Sequence, residues 1–210
     1  MDNQVLLINH GGYDGNVYLF GVKGGPCLII DVGSSRFDKI MDLVRTRHSK
    51  IEGVLLTHSH FDHIMGIEQI PDDIPVFMGE EDIPSLEDPK FNLSFDLLGE
   101  SLSFKTPKGI YPVEDEDEIV TESFAFKVIH TPFHTEGSVC FLFPKEKIMF
   151  TGDTLFARGI GRTDLKGGRS SLIESSLEKL DALDPTIGIY PGHYGSSNLG
   201  EALRFAKMVI

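Results

Sequence analysis

Cysteine is scarce in this chain: two residues among 210, Cys27 and Cys140, each set singly inside an apolar run. So thin a supply excludes a disulfide-stapled secreted scaffold and reads as two buried free thiols in a reducing compartment, the cytoplasm. Cations are short as well, with 19 Lys and Arg against 32 Asp and Glu, a formal charge of -13. That balance has the wrong sign for displacing counterions from a phosphate backbone, so no nucleic acid is expected as a partner, and the acidity serves solubility. Long hydrophobic runs are missing: no stretch approaches the roughly 20 apolar residues of a membrane span, and no membrane is expected as a partner. The opening segment MDNQVLLINHGG lacks the cationic start and apolar length of a signal sequence, and the Arg-rich amphipathic pattern of a transit peptide. Repeats and low-complexity linkers are absent too, and the length suits one core, so residues 1–210 are expected to form a single domain.

Glycine and proline, by contrast, are plentiful at 22 and 11, which implies many tight turns between short elements. Short apolar runs bounded by Gly, Pro or Asp read as strands: Val5 to Ile8, Val17 to Phe20, Leu28 to Ile30, Val54 to Leu56, Phe124 to Ile129, Val139 to Phe143, Ile148 to Phe150 and Ile187 to Tyr190. Helical periodicity falls between them. Phe37 to Arg47 sets Phe37, Ile40, Met41 and Val44 on one side, Ser170 to Leu183 does the same with Leu172, Ile173, Leu177 and Leu180, and Leu199 to Val209 reads as a short terminal helix. Strands mixed with helices predict sheets covered by helices, an α/β or α+β sandwich. Residues 79–118 break this rhythm with four prolines and the acidic run Glu114-Asp115-Glu116-Asp117-Glu118, and read as an irregular surface excursion ending in a solvated turn.

The stretch Thr57-His58-Ser59-His60-Phe61-Asp62-His63-Ile64-Met65-Gly66 concentrates three of the chain's 8 histidines beside an aspartate. A lone histidine is more often a satisfied core or surface residue than a ligand. Three imidazoles and a carboxylate buried together without a cation would need many compensating hydrogen bonds, so this cluster points to metal. His58 and His60 alternate on an extended segment and can face one ion, while Asp62 and His63, one bend later, can reach a second. Three further apolar runs end in possible ligands: FKVIHTPF in His134, KIMFTG in Asp153 and IGIYPG in His193. Strand ends opening into loops are where such groups gather, so the four could surround one point. Imidazole and carboxylate donors without thiolate suit zinc, iron or manganese. His10 and His48 read as surface residues, and His130 as a packed neighbour of the site.

With these residues in view, the chain resembles the metallo-β-lactamase superfamily, whose signature His-x-His-x-Asp-His is followed by single His, Asp and His ligands. The resemblance runs from about Gly15 onward and implies a four-layer αββα sandwich with two divalent metal ions, zinc foremost, at one edge of two sheets. It implies that His58, His60 and His134 hold the first ion, that Asp62, His63 and His193 hold the second, and that Asp153 bridges them. Within the superfamily, HTPFHTEGSV from His130, GDTLF from Gly152 and PGH at Pro191 look most like hydroxyacylglutathione hydrolase, also called glyoxalase II. The loop Gly159-Ile160-Gly161-Arg162-Thr163-Asp164 is similar to one whose basic residue contacts glutathione, which places Arg162 at the substrate; a structural ion pair with Asp164 is the alternative. Phe133 departs from a usual Gly. Only 17 residues follow His193 (210 minus 193), so the chain resembles a short form without the helical domain of larger glyoxalases.

The implied activity is hydrolysis of a small-molecule thioester, such as S-D-lactoylglutathione. A metal-bridging hydroxide would attack the carbonyl carbon, with catalytic Asp62 orienting it. The nearest rival is a glutathione persulfide dioxygenase, which resembles this chain in the same motifs and in the Arg162 loop but uses a single iron and oxygen. A scaffold that binds metal without catalysis is a third reading, opposed by all seven ligand positions being filled. A secreted β-lactamase and an RNA-processing nuclease are disfavoured by the opening segment and the charge. A flavodiiron reductase is disfavoured by His60 standing where Glu is usual.

Overall fold

In the strand Val17–Gly21 every residue is buried, yet successive side chains enter different cores. Val17 and Leu19 pack with Phe37, Ile40 and Val44 of the helix Phe37–Arg47, whereas Tyr18 and Phe20 pack with Phe126, Phe141, Phe143 and Phe150. The same period of two divides Val139–Phe143: Val139, Phe141 and Phe143 join the second group, and Cys140 and Leu142 face Leu177, Leu180, Ala202 and Leu203 of the later helices. Three cores stacked in this way require four layers, helix, sheet, sheet and helix. This is the αββα architecture.

The computed structural model describes residues 3–8, 14–34 and 36–210. The first sheet takes β1 (Gln4–Ile8), β2 (Val17–Gly21), β3 (Pro26–Ile30), β4 (Lys50–Leu56), β5 (Val76–Gly79) and β6 (Ile110–Val113) in sequence order, antiparallel up to β3 and parallel from β3 onward. In the second, β7 (Glu118–Val120), β8 (Ala125–His130), β9 (Val139–Phe143) and β10 (Ile148–Gly152) pair antiparallel. A hairpin of β11 (Leu155–Phe156) and β12 (Gly159–Ile160) stands apart. Then β13 (Gly188–Pro191) adds parallel to β10, and β14 (Ser197–Asn198) closes the edge. The helices are α1 (Phe37–Arg47), α2 (Phe61–Ile64), α3 (Ser94–Leu98), α4 (Ile173–Asp181) and α5 (Leu199–Val209). No helix among the described residues is long and apolar enough to cross a membrane.

Between the sheets the core is mostly aromatic. Phe20 and Phe143 meet edge to face at 4.7 Å, and Phe150 stands within 5.9 Å of both, an arrangement that adds to the area these rings bury. Both cysteines are free and buried, as expected.

The segment 79–118 is more than a surface excursion. β6 joins the first sheet, Asp82 and Leu86 are buried in the 3₁₀ segment Glu80–Leu86, and Leu93 and Phe104 reach the α1-side core. Its anchors are single and aperiodic, so no pattern betrays them. Pro112 is tolerated because β6 is an edge strand, where a missing N–H interrupts no central ladder. The acidic run at Glu114–Glu118 is solvated as expected, although Asp115 accepts from His130 N at 2.8 Å and Lys179 Nζ at 2.7 Å.

Glu52 ties the two sheets together at the far end. From β4 its buried carboxylate accepts from Thr121 Oγ1 at 2.7 Å, Ser123 Oγ at 2.8 Å and Ser123 N at 2.9 Å, in the turn before β8. Burial works against the charge, but these donors outweigh it and hold the carboxyl below its ordinary 4.5. A depressed folded value means that the stabilisation is present above the unfolded value and is lost as pH falls through the folded one. Glu52→Ala should cost about 1–3 kcal/mol in denaturant unfolding at pH 7, and the gap from wild type should close in acid. A gap that is constant down the acid limb would refute this role.

Candidate metal centre

Four strand ends converge at one edge of the sandwich. β4 leaves the first sheet into Thr57-His58-Ser59-His60 and α2, which carries Asp62 and His63; β8 leads to His134, β10 to Asp153 and β13 to His193. Because β10 and β13 run parallel side by side, their ends deliver Asp153 and His193 to neighbouring positions. All seven residues expected to be ligands are thereby brought together. His58, His60 and His134 offer nitrogens within 4.8 Å of one another, as do Asp62, His63 and His193 with their donor atoms, and His58, His63 and Asp153 form an overlapping third group. Asp153 stands between the sets, with Oδ1 3.5 Å from His63 Nε2 and Oδ2 3.6 Å from His134 Nε2 and 3.5 Å from His193 Nε2.

The donor atoms fit a cation better than they fit each other. The Nε2 atoms of His58, His60 and His134 and Oδ1 of Asp153 are buried with no hydrogen-bond partner among the described residues. Each such orphan costs about 1–3 kcal/mol, so four in one spot mark a place where a positive ion belongs. Burial, and then the neighbouring imidazoles, hold His58 and His60 well below 6.5, leaving neutral rings with free lone pairs. His63 goes the other way: burial opposes its charge, but Asp31, Asp62 and Asp153 raise it to about 10. Asp62 is held at about 2, with burial outweighed chiefly by His63 and by the His193 contact at 3.1 Å. Bound metal would replace the ring proton.

The rings are held from behind by residues that the motif does not include. His63 Nδ1 lies 2.8 Å from Asp31 Oδ2, and Asp31 also accepts from Thr57 N at 2.8 Å. Thr57 Oγ1 is 3.0 Å from His58 Nδ1, and His134 Nδ1 is 2.8 Å from the carbonyl of Arg162. Asp82 accepts from Ser59 N, Gly137 N and Thr135 Oγ1 at 2.7 to 2.8 Å, joining the His58 loop to the His134 loop. Asp31 had a signal: it ends the apolar run of β3 as the ligands end theirs. Asp82 had none. Two glycines permit the close approach: a Cβ on Gly192 would lie 2.3 Å from Asp153 Oδ1, and one on Gly161 would lie 2.8 Å from His134 Nδ1. Phe133 is absorbed whole into the interior.

Arg162 touches the centre through its carbonyl, while its exposed guanidinium grips Asp164 with Nε and Nη2, both at 2.7 Å. The ion pair is therefore formed. His130 stays outside the cluster, half-buried, with Nε2 2.8 Å from the Glu136 carbonyl. His48 is half-buried rather than superficial, because Nδ1 meets the Val22 carbonyl at 3.1 Å. His10 lies outside the described residues.

A family model described as the metallo-beta-lactamase superfamily matches residues 10–193. A Methanocaldococcus jannaschii protein named "Probable metallo-hydrolase MJ0888" is 32% identical over 214 residues, spanning 99% of this chain and 100% of its own. Among solved structures, the BLEG-1 B3 metallo-beta-lactamase superposes with a TM-score of 0.87 at 32% identity, over 96% of this chain and 97% of its own. TTHA1623 in a di-iron-bound form superposes at 0.79 with 30% identity, over 97% and 100%.

Replacing the Asp31 carboxylate by an amide takes charge from behind His63 while preserving shape. Asp31→Asn should weaken metal binding about 10–100-fold, read by competition with a chromophoric chelator. Unchanged affinity would show that Asp31 serves only the loop.

Proposed function

The chain belongs to the metallo-beta-lactamase superfamily, and from that premise we propose that it is a metal-dependent thioester hydrolase of the cytoplasm, acting as one domain on a hydroxyacylglutathione such as S-D-lactoylglutathione. One observation carries the reading: four strand ends distant in sequence converge on seven donor groups, and four of the buried donor atoms have no hydrogen-bond partner among the described residues. The proposed ligands are His58, His60 and His134 for one ion and Asp62, His63 and His193 for the other, with Asp153 between them. Nitrogen and oxygen donors without thiolate favour zinc and also accept iron or manganese; the di-iron form of TTHA1623 supports iron as an occupant of a site of this kind.

Bound divalent ions would supply Lewis acidity toward the thioester carbonyl and a water acidified to about pKa 7. The protein's part is placement. Asp62 stays a carboxylate at working pH, is partly open to solvent and faces His193, so it can accept a hydrogen bond from the attacking water and aim it. Water adds to the carbonyl carbon, the C–S bond breaks, and sulfur leaves to take up a proton. Phe156 and Tyr194 pack ring to ring at 5.5 Å beside His193. Arg162 is proposed to meet a glutathione carboxylate, exchanging Asp164 for it. No cysteine nucleophile is involved, since Cys27 and Cys140 are buried in separate cores.

A persulfide dioxygenase with one iron is the second reading, favoured by the group His58, His63 and Asp153, whose two imidazoles and carboxylate match the ligand set of non-haem iron oxygenases. Elemental analysis beside activity separates the two. Two ions per chain with thioester cleavage that chelation abolishes and metal restores supports the hydrolase. One iron with oxygen uptake and sulfite supports the dioxygenase, and full metal loading with neither activity leaves a non-catalytic scaffold.

Two variants probe the assignments. Asp153→Ala should remove metal and thioesterase turnover together, and near-normal turnover at full loading would exclude its place between the ions. Arg162→Ala should raise KM for S-D-lactoylglutathione while sparing a neutral thioester; an equal effect on both would make Arg162 purely structural.

A further inference from the structure

Three of the five imidazoles at the centre are aligned through their second nitrogen, by Thr57, Asp31 and the Arg162 carbonyl. His60 is aligned by packing, buried edge-on to His58 at 4.7 Å and His134 at 4.5 Å. His193 has only looser ring contacts, with His63 at 5.2 Å and Phe156 at 6.3 Å. Among the described residues nothing hydrogen-bonds its Nδ1, and its side chain is 28% exposed. A metal-ligating histidine normally needs such a partner to fix its ring, so the orientation of this one must come from its main chain.

That main chain is gripped chiefly by Asn16, just before β2, with Gly192 N also donating to the Gly152 carbonyl at 2.8 Å. Asn16 N donates to the Gly192 carbonyl at 2.6 Å, and its Nδ2 reaches the carbonyls of Pro191 and Tyr194, each at 2.9 Å. Tyr18 adds its hydroxyl to the Pro191 carbonyl at 2.6 Å and lies 3.1 Å from Asn16 Nδ2. Carbonyls on both sides of His193 are thus tied to one amide, which is 2% exposed. The grip holds a conformation the chain would otherwise avoid: Tyr194 sits at φ 66, in the left-handed region. A non-glycine residue stays there only when its surroundings over-determine it, and this happens at functional sites more than elsewhere.

We propose that Asn16 is the positioning residue of His193, and that it thereby sets the occupancy of the cation position formed by Asp62, His63 and His193 while leaving the one formed by His58, His60 and His134 untouched. This rests on the two-ion reading given above. The amide is suited to the task because its N–H groups face carbonyls, whereas a carboxylate would set acceptors against acceptors. Without the grip the turn relaxes away from the left-handed Tyr194, and His193 Nε2 leaves its place 3.1 Å from Asp62.

The test uses metal-free full-length protein and zinc alone, with bound zinc counted after dialysis at graded free concentrations. Wild type should take up two ions. Asn16→Ala and Asn16→Asp should keep one tight ion and bind the second about 10–100-fold more weakly, with the far-UV circular dichroism of the metal-free protein unchanged. Asn16→Ser, which keeps one donor, should recover part of the loss. Tyr18→Phe removes a single oxygen from a packed ring, so it can decide the matter even if Asn16→Ala does not fold: it too should weaken the second ion alone. Variants that bind both ions as wild type does, or lose both in parallel, overturn the Asn16 assignment. Wild type that takes up no zinc overturns the metal reading, and the assignment with it.

Discussion

Water-excluded polar atoms must find a partner, and at one edge of this sandwich four of them have no hydrogen bond among the described residues. Much else in the molecule follows from that debt. It explains why like groups are crowded where they should repel, with the His58 and His63 rings 4.1 Å apart and Asp62 and Asp153 facing the same imidazoles. It also explains the surrounding shell. Asp31, Thr57, Asp82 and Asn16 are all buried, and each spends its hydrogen bonds on loops that bear donors. Without a cation the arrangement is self-repelling and desolvated; with one, every member has a role.

The sandwich makes this crowding possible by geometry alone. Two sheets of six strands pack through rings that alternate with outward side chains, so the position of every strand end is fixed by a rigid aromatic interior. Ligands placed just past those ends inherit that rigidity. Loop residues supply the chemistry while the strands supply the coordinates, which is why the donors can be so far apart along the chain and still meet.

The centre was readable from the sequence because each ligand sits at a boundary, where an apolar run stops at a side chain that has no business in a core. The pattern of short apolar runs and helical stretches reached only as far as sheets covered by helices; the four layers came with the family resemblance, and the doubly buried strands bear them out. The features without a sequence signature share one property. Asp82 and β6 lie in a segment whose anchors come singly, and Asp31, although it ends the apolar run of β3, carries no sign of which ring it meets. A contact that depends on two distant residues leaves no local trace in either. Arg162 shows the same limit from the other side: its loop is legible in the sequence, yet the atom that reaches the centre is a backbone oxygen, which no side-chain pattern encodes.

The bond from Asn16 to the Pro191 carbonyl joins residues 175 positions apart. Contacts of such separation form late, since a long loop must close before they repay its lost entropy. A nascent chain emerging from the ribosome would therefore display the His58 to His63 cluster long before its partners exist, exposed to whatever ion is nearby.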